Sequence, residues 1–386
     1  MDTSKQNVSK DLPVALILGT GLCALGTIRS LKEDEDISII VMGNEDKGLA
    51  QHSKYIDAYY PCKEDDLNDI YAVLKKINDF YQNVIPIPTG ADFWVNVIIN
   101  APIKLDHFIT DLKPEYSELM KKNVQQKLAE KTKIPYPPSC RVHSREDLNK
   151  ACESLIFPCV VKPVSRVDRK APFRIRSYKK ANALFKDIEP LLGTYDFLVS
   201  THIMGPDKNI YTYGSFAVDG IVKAHYTGRK LTQRPMKFGV AGFAESIKDI
   251  KTVSEYSKRL LNESNFSGIS QIEFKKDKET GKYYLMEINP RIWLWIQTAT
   301  ASGVNLVLAY YDHLAKRPPK THQQSKKCMF INGLSMFDNS FREKNLTWLF
   351  YYIKSRFVPH IYSIKDRKDP KPYKIERQRF YKKIIH

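Results

Sequence analysis

The sequence predicts an α/β segment followed by an α+β module and a basic C-terminal tail. Three observations carry that reading. Short apolar runs separated by a glycine turn and an amphipathic stretch open the chain, the pattern of a parallel sheet buried on both faces. Strands and helices then occur in runs, as in α+β architectures. Charge is concentrated at the end, where residues from Thr321 onward hold 15 Lys/Arg against 5 Asp/Glu, so +10 of the net +18 lies there.

The chain has 386 residues, which at roughly 100–200 residues per domain makes two or three domains. Its 42% hydrophobic and 27% charged residues exclude a mainly disordered protein, and 17 Gly with 21 Pro exclude a collagen-like one. The positive balance favours anionic partners: nucleotides, nucleic acid or an acidic membrane surface. The apolar run over residues 14–28 follows Lys10 as in a signal peptide, but Gly19, Gly21 and Gly26 interrupt it and no small-residue cleavage site follows. No stretch approaches the ~20 apolar residues that span a bilayer. Six cysteines with neither CxxC pairs nor zinc spacing point to a reducing compartment, and a cytoplasmic protein is expected.

In order, Val14–Leu18 reads as a buried strand ending in Gly19-Thr20-Gly21, an amphipathic helix runs to Leu31, and residues 37–41 and 84–87 are further strands of a doubly wound sheet. A helix-rich stretch from about residue 105 to 131 leads to the rigid boundary Ile134-Pro135-Tyr136-Pro137-Pro138. Beyond it lie strands at 159–162 and 197–200, a helix at 182–188, alternating strands over 211–226 and a helix at 247–264. Two strands, 269–275 and 282–289, flank a turn at residues 278–281.

That hairpin carries the chemistry. Centred on Thr280, it sets Glu273 opposite Glu287, with Asn289 two residues on along the same face, and sends Ile272, Phe274, Met286 and Ile288 to the other. Opposed like charges destabilise a sheet, so a cation is the natural remedy, and two carboxylates with an amide oxygen suit Mg²⁺ or Mn²⁺. Spacing alone equally allows a solvated face with two unrelated glutamates.

The text around the hairpin resembles the ATP-grasp superfamily, which includes D-alanine–D-alanine ligase, biotin carboxylase and carbamoyl-phosphate synthetase. Glu287-Ile288-Asn289-Pro290-Arg291, after a strand carrying Glu273, looks like its metal-binding core. Lys122, ahead of the Pro-rich boundary, looks like its first phosphate-contacting lysine, and Lys162 in Phe157-Pro158-Cys159-Val160-Val161-Lys162-Pro163 like the second. Residues 197–205 resemble the hinge that binds adenine through its backbone, with Thr201, His202 and Ile203 at its centre and Asp207 where an acid meets the ribose. The resemblance implies a Rossmann-like pre-ATP-grasp domain (1–110), a small lobe with linker helix (111–200), a large lobe (201–320) and a basic aromatic extension (321–386). It also implies an ATP- and Mg²⁺-dependent ligase that joins a carboxylate to an amine through an acyl-phosphate, with Arg291 stabilising the acyl-phosphate or the tetrahedral intermediate, and a dimer as a common assembly. A lysine at position 122 taken alone reads more readily as a surface helix residue, whereas Lys162 inside an apolar strand does not.

Residues 226–239, with Arg229 and Lys230 placed toward the triphosphate, and the element Asp369-Pro370-Lys371-Pro372 are similar to the predicted carboxylate–amine ligase branch of that superfamily. As plain sequence, Arg229 and Lys230 also fit an exposed strand end. Three features depart from the family. The loop 164–174 has no glycine and several cations, Thr201 replaces a hinge glutamate, and Gln271 stands where some members have arginine. Trp293 and Trp295 read as core, and Asp92 as a helix N-terminal acid or a cleft residue.

Two other classes compete. A nucleic-acid binder would use the tail's aromatic residues among cations, but it lacks a recognised motif and leaves the Glu/Asn set unexplained. An NAD-dependent oxidoreductase rests on Gly19-x-Gly21 followed by Gly26, a weak pattern without a closing acid. The tail itself divides between a structural cap and a peripheral contact with an anionic membrane, in which Trp348, Tyr351 and Tyr352 would take the interface.

Overall fold

The unbroken apolar run of the first strand is explained by what covers it. In the computed structural model, which describes residues 12–44, 48–164, 172–234, 238–333 and 347–385, strand β1 (Val14–Leu18) has no solvated face. Ala15 and Ile17 pack toward the helix Leu22–Leu31 and the loop-and-helix segment that includes Trp295, while Val14, Leu16 and Leu18 pack toward the helices Leu67–Phe80 and Asp92–Ile99. β1 joins β2 (Ile39–Gly43), β3 (Ala58–Pro61) and β4 (Val84–Pro88) in a parallel sheet of order β3-β2-β1-β4. The expected parallel sheet is present.

The second sheet is antiparallel, in the order β5-β8-β6-β7, from β5 (Ser139–Val142), β6 (Cys159–Pro163), β7 (Arg176–Tyr178) and β8 (Phe197–Thr201). Its period of two divides labour between faces. Val142, Cys159, Val161, Phe197 and Val199 bury against the helices Arg145–Ser154 and Ala181–Ile188. Val160, Lys162, Leu198 and Ser200 point the other way, into a cleft. The first of those helices starts in a capping box, Ser144 with Asp147.

The third sheet has seven strands, β13-β12-β9-β10-β11-β14-β15, built from β9 (Ile210–Val218), β10 (Ile221–Arg234), β11 (Val240–Ser246), β12 (Gly268–Lys276), β13 (Tyr283–Asn289), β14 (Met329–Ile331) and β15 (His360–Tyr362). The helices Glu115–Leu119 and Lys122–Lys131 contribute Tyr116, Leu119 and Ala129 to the core beneath this sheet, beside Tyr213, Ile272 and Ile288. The linker helix expected with the small lobe therefore packs on the large sheet. Its Gln125, fully buried, completes the edge of β13: Nε2 donates to the Ile288 carbonyl at 2.8 Å and Oε1 accepts the Ile288 N–H at 3.2 Å.

The tail is part of this sheet rather than an appendage. β14 and β15 extend it, and the helix Thr347–Ser355 turns Trp348, Tyr351 and Tyr352 onto Leu231, Phe243 and Ile331. Of the two readings of these three aromatics, cap and membrane interface, the first holds: they face the protein, because the helical period sets them on its buried side. Asp369 fastens the tail to the helix Leu22–Leu31 and the segment before β3. One oxygen accepts from Ser53 Oγ at 2.9 Å and faces Arg29 Nε at 3.3 Å, and the other accepts the Lys54 N–H at 3.0 Å. Arg29 also donates to the Ile364 carbonyl at 2.8 Å. No helix among the described residues is long and apolar enough to cross a membrane.

Candidate active site

The cleft lies between the polar face of the second sheet and the third sheet. Lys162, Ser200 and the hinge residues Thr201, His202 and Ile203 line one side; Lys230, Gln233, Glu273, Lys275, Met286 and Glu287 line the other. Two of the three hinge amides are spent on shape: Thr201 N–H binds the Pro138 carbonyl and His202 N–H the Pro158 carbonyl, both at 2.9 Å. The loop 165–171 and residues 235–237, both parts of stretches singled out in the sequence, lie outside the described residues.

On the hairpin the register is as expected for Gln271↔Asn289, Ile272↔Ile288 and Glu273↔Glu287. A β-bulge follows at Glu273/Phe274, so that Phe274 pairs with Leu285. Leu285, fully buried, takes the core place expected for Met286, and Met286 turns to the cleft. Period-two counting cannot see a bulge.

The two glutamates do not face each other unrelieved. Lys230 Nζ lies 2.8 and 2.9 Å from the two oxygens of Glu273, and Lys122 Nζ lies 2.8 Å from Glu287 Oε1. Two side-chain ammonium groups thus offset the pair's charge, one from β10 and one from the helix Lys122–Lys131. Gln271 Nε2 donates to Glu273 Oε1 at 3.0 Å, and Asn289 Nδ2 donates to Gln271 Oε1 at 3.3 Å. Arg291 continues the line, donating to Asn289 Oδ1 at 3.2 Å and, through Nε, to Asp92 Oδ1 at 2.6 Å. Burial works against the Arg291 charge, but the Asp92 carboxylate outweighs it and holds the guanidinium above its ordinary pKa. Burial, with the Glu287 carboxylate, pushes the Tyr136 phenol at the cleft wall well up.

The segment after Arg291 is anchored on both sides. Trp293 and Trp295 bury against the third sheet where Gly214 and Gly228 leave room; a Cβ there would come within 2.3 Å and 2.7 Å of the two indole rings. Ile292 bridges Thr89 at the end of β4, and the Gly90 N–H reaches its carbonyl at 3.4 Å. The segment after β4 thereby delivers Asp92 to Arg291. The tryptophans are core, as expected.

Two sequence assignments change. Arg229 neighbours Lys230 in a regular stretch of β10 and so points to the opposite face, where its Nε and terminal nitrogen hold Glu245 at 2.8 and 2.6 Å. Asp207 stands one step back from the cleft: it accepts the Gln233 N–H at 2.8 Å and the Gln233 side-chain amide at 2.9 Å, and Gln233 is the residue at the wall. Lys275 was missed. It follows Glu273 by two on β12, hence shares its face, and its Nζ lies 3.4 Å from His202 Nε2.

Among the described residues no three His, Cys, Asp or Glu side chains form a metal cage. The donor set is two carboxylates and an amide, and it fits Mg²⁺, which keeps several waters and takes one or two carboxylates together with substrate phosphates.

Residues 217–335 match the family model described as "ATP-grasp in the biosynthetic pathway with Ter operon". D-aspartate ligase of Enterococcus faecium (strain Aus0004) is 21% identical over 314 residues, covering 76% of this chain and 74% of that protein. Among solved structures, N5-carboxyaminoimidazole synthetase from Staphylococcus aureus complexed with ADP superposes with a TM-score of 0.65 at 13% identity, over 86% of this chain and 87% of that one. L-amino acid ligase from Bacillus licheniformis gives 0.63 at 15%, over 82% and 78%. Biotin carboxylase from Campylobacter jejuni gives 0.64 at 17%, over 83% and 75%. The chain thus shares the fold of these three structures, and its residues 217–335 match an ATP-grasp family model.

Proposed function

We propose that the chain is an ATP- and Mg²⁺-dependent ligase that joins a carboxylate to an amine through an acyl-phosphate, releasing ADP and phosphate. The observation that carries this is the cleft itself, where Lys162 from one sheet and Lys230 from the other face Glu273 and Glu287. Fixed ammonium groups on opposing sheets suit a polyphosphate laid between them. The hinge 201–203 receives adenine, with Ile203 supplying the backbone contact that Thr201 and His202 have spent elsewhere. Gln233, held by Asp207, stands at the wall beside the ribose. Lys122, Lys162 and Lys230 neutralise phosphate oxygens as the γ-phosphoryl group passes to the substrate carboxylate. Glu273, Glu287 and Asn289 would hold Mg²⁺, which offsets phosphate charge when bound.

The carboxylate substrate enters from the first domain, a Rossmann-like unit in which Gly19 and Gly21 let an anionic group approach the helix Leu22–Leu31. Arg291, aimed by Asp92, stabilises the oxyanion as the amine displaces phosphate. The amine's proton leaves with solvent or phosphate. The free state of all six cysteines supports a reducing, cytoplasmic setting. D-aspartate ligase and L-amino acid ligase among the similar proteins favour an amino acid as one substrate.

A panel of amino acids, offered singly and in pairs with Mg²⁺-ATP, tests the reading through phosphate release. ADP must appear in step with phosphate. Stoichiometric AMP, or a chain stabilised by NAD(H) or an oligonucleotide but not by Mg²⁺-ATP in thermal shift, overturns it.

A further inference from the structure

The helix Thr347–Ser355 has a second face. With Trp348, Tyr351 and Tyr352 turned inward, Leu349, Phe350 and Ile353 point outward together, and Phe357 follows just beyond the helix. They are 44%, 62%, 53% and 83% exposed. Large apolar side chains are normally exposed singly, and a contiguous group marks an interaction surface.

The surroundings say what covers it. Between Thr347 and Lys382 eight Lys/Arg residues are exposed and no Asp or Glu is. Asp369, the fully buried acid of this stretch, is consumed by Arg29, Ser53 and Lys54. The same helix borders a cavity of about 360 Å³ walled by Trp348, Tyr352, Tyr362 and Tyr373, with Arg356 and Lys365 in its lining. Arg356 lies 4.4 Å over the Tyr352 ring and donates to the Tyr362 hydroxyl at 3.0 Å; Lys365 Nζ sits 5.8 and 5.9 Å from the Tyr362 and Tyr373 ring centres. Among the described residues neither cation has a carboxylate within ion-pair distance. The rings orient these charges without neutralising them.

We propose that this face docks on an anionic lipid surface, with Arg356 and Lys365 receiving a headgroup phosphate and Leu349, Phe350, Ile353 and Phe357 entering the interface. Nucleic acid would satisfy the cations but leave the aliphatic Leu349 and Ile353 in water; a lipid surface satisfies both. The helix is nine residues long, so it lies on the membrane and does not span it. The site is remote in composition from the ligase cleft, and the inference stands whether or not that reaction is the right one.

The test uses the full chain in co-sedimentation with vesicles of equimolar phosphatidylglycerol and phosphatidylcholine, and with phosphatidylcholine alone. Binding to the anionic vesicles is expected at least about tenfold above the neutral ones, weakening as salt shortens the Debye length. Phe350→Ser with Phe357→Ser, both exposed, should lower it about tenfold with an unchanged melting temperature, as should Arg356→Gln with Lys365→Gln. Absence of binding to anionic vesicles, or binding unaltered in both double variants, overturns the proposal. Stabilisation by inorganic phosphate without vesicle binding also overturns it and makes the cavity a site for a free phosphate.

Discussion

The β12–β13 hairpin and the C-terminal strap both place carboxylates out of bulk water, yet they use them in opposite ways. Asp369 is completely buried, and its two oxygens are filled by a hydroxyl, a backbone N–H and a guanidinium that has no role in the cleft. Glu273 and Glu287 keep side-chain exposures of 12% and 20%, both line the cleft, and each is met by a lysine. A carboxylate saturated from all sides stabilises a fold. One held by a lysine at the wall of a cleft can exchange that partner for a ligand. The same charge is a rivet in one region and an open valence in the other.

That contrast is sharpest for Glu287→Gln. It should lower turnover at least about a hundredfold, by removing a ligand at the phosphoryl-transfer centre. It should also lower the melting temperature, because Lys122 is left buried without its counter-charge, a loss of about 2–3 kcal/mol. Steady-state kinetics and a melting curve decide both; a variant as stable as the parent would mean that the Lys122 pair is incidental. Asp92→Asn should leave ADP binding unchanged while cutting kcat about tenfold, since only the aim of Arg291 is disturbed. A rise in KM for ATP instead would move Asp92 into nucleotide binding.

Asp369→Asn should show the reverse profile: about 3 kcal/mol less stable by denaturant unfolding, because the buried Arg29 keeps only the more distant Asp366 as counter-charge, with kcat of the folded enzyme within about twofold of the parent. Strong loss of turnover at full folding would erase the distinction between strap and site. The smallest effect is expected at Arg229→Gln, whose KM for ATP should stay within about twofold, whereas Lys230→Gln at the neighbouring position should raise it about tenfold. Equal effects at the two would contradict their placement on opposite faces.

Much of the site was legible because a strand repeats every two residues. Glu273, Glu287 and Asn289 share a face by counting alone, and the same count reaches Lys275 from Glu273. It also separates Arg229 from Lys230, which proximity in sequence had joined. Met286 was misplaced because a bulge shifts the count without leaving a mark in the residues. For Trp348, Tyr351 and Tyr352 the sequence leaves a structural cap and a lipid interface both open, because an aromatic stretch shows that one side is buried without showing against what.

What the sequence by itself determined is therefore local and periodic. The buried run Val14–Leu18 required a sheet covered on both faces, and alternation over 159–163 and 197–201 sent Lys162 to the face opposite the core. The tertiary structure alone decided which distant groups meet. Lys122 lies 165 residues from Glu287, Asp92 lies 199 from Arg291, and Arg29 lies 340 from Asp369. Those pairings depend on how three sheets and a returning tail are packed. A carboxylate's own sequence neighbours carry no record of that packing, because burial and Coulomb attraction act through space and not along the chain.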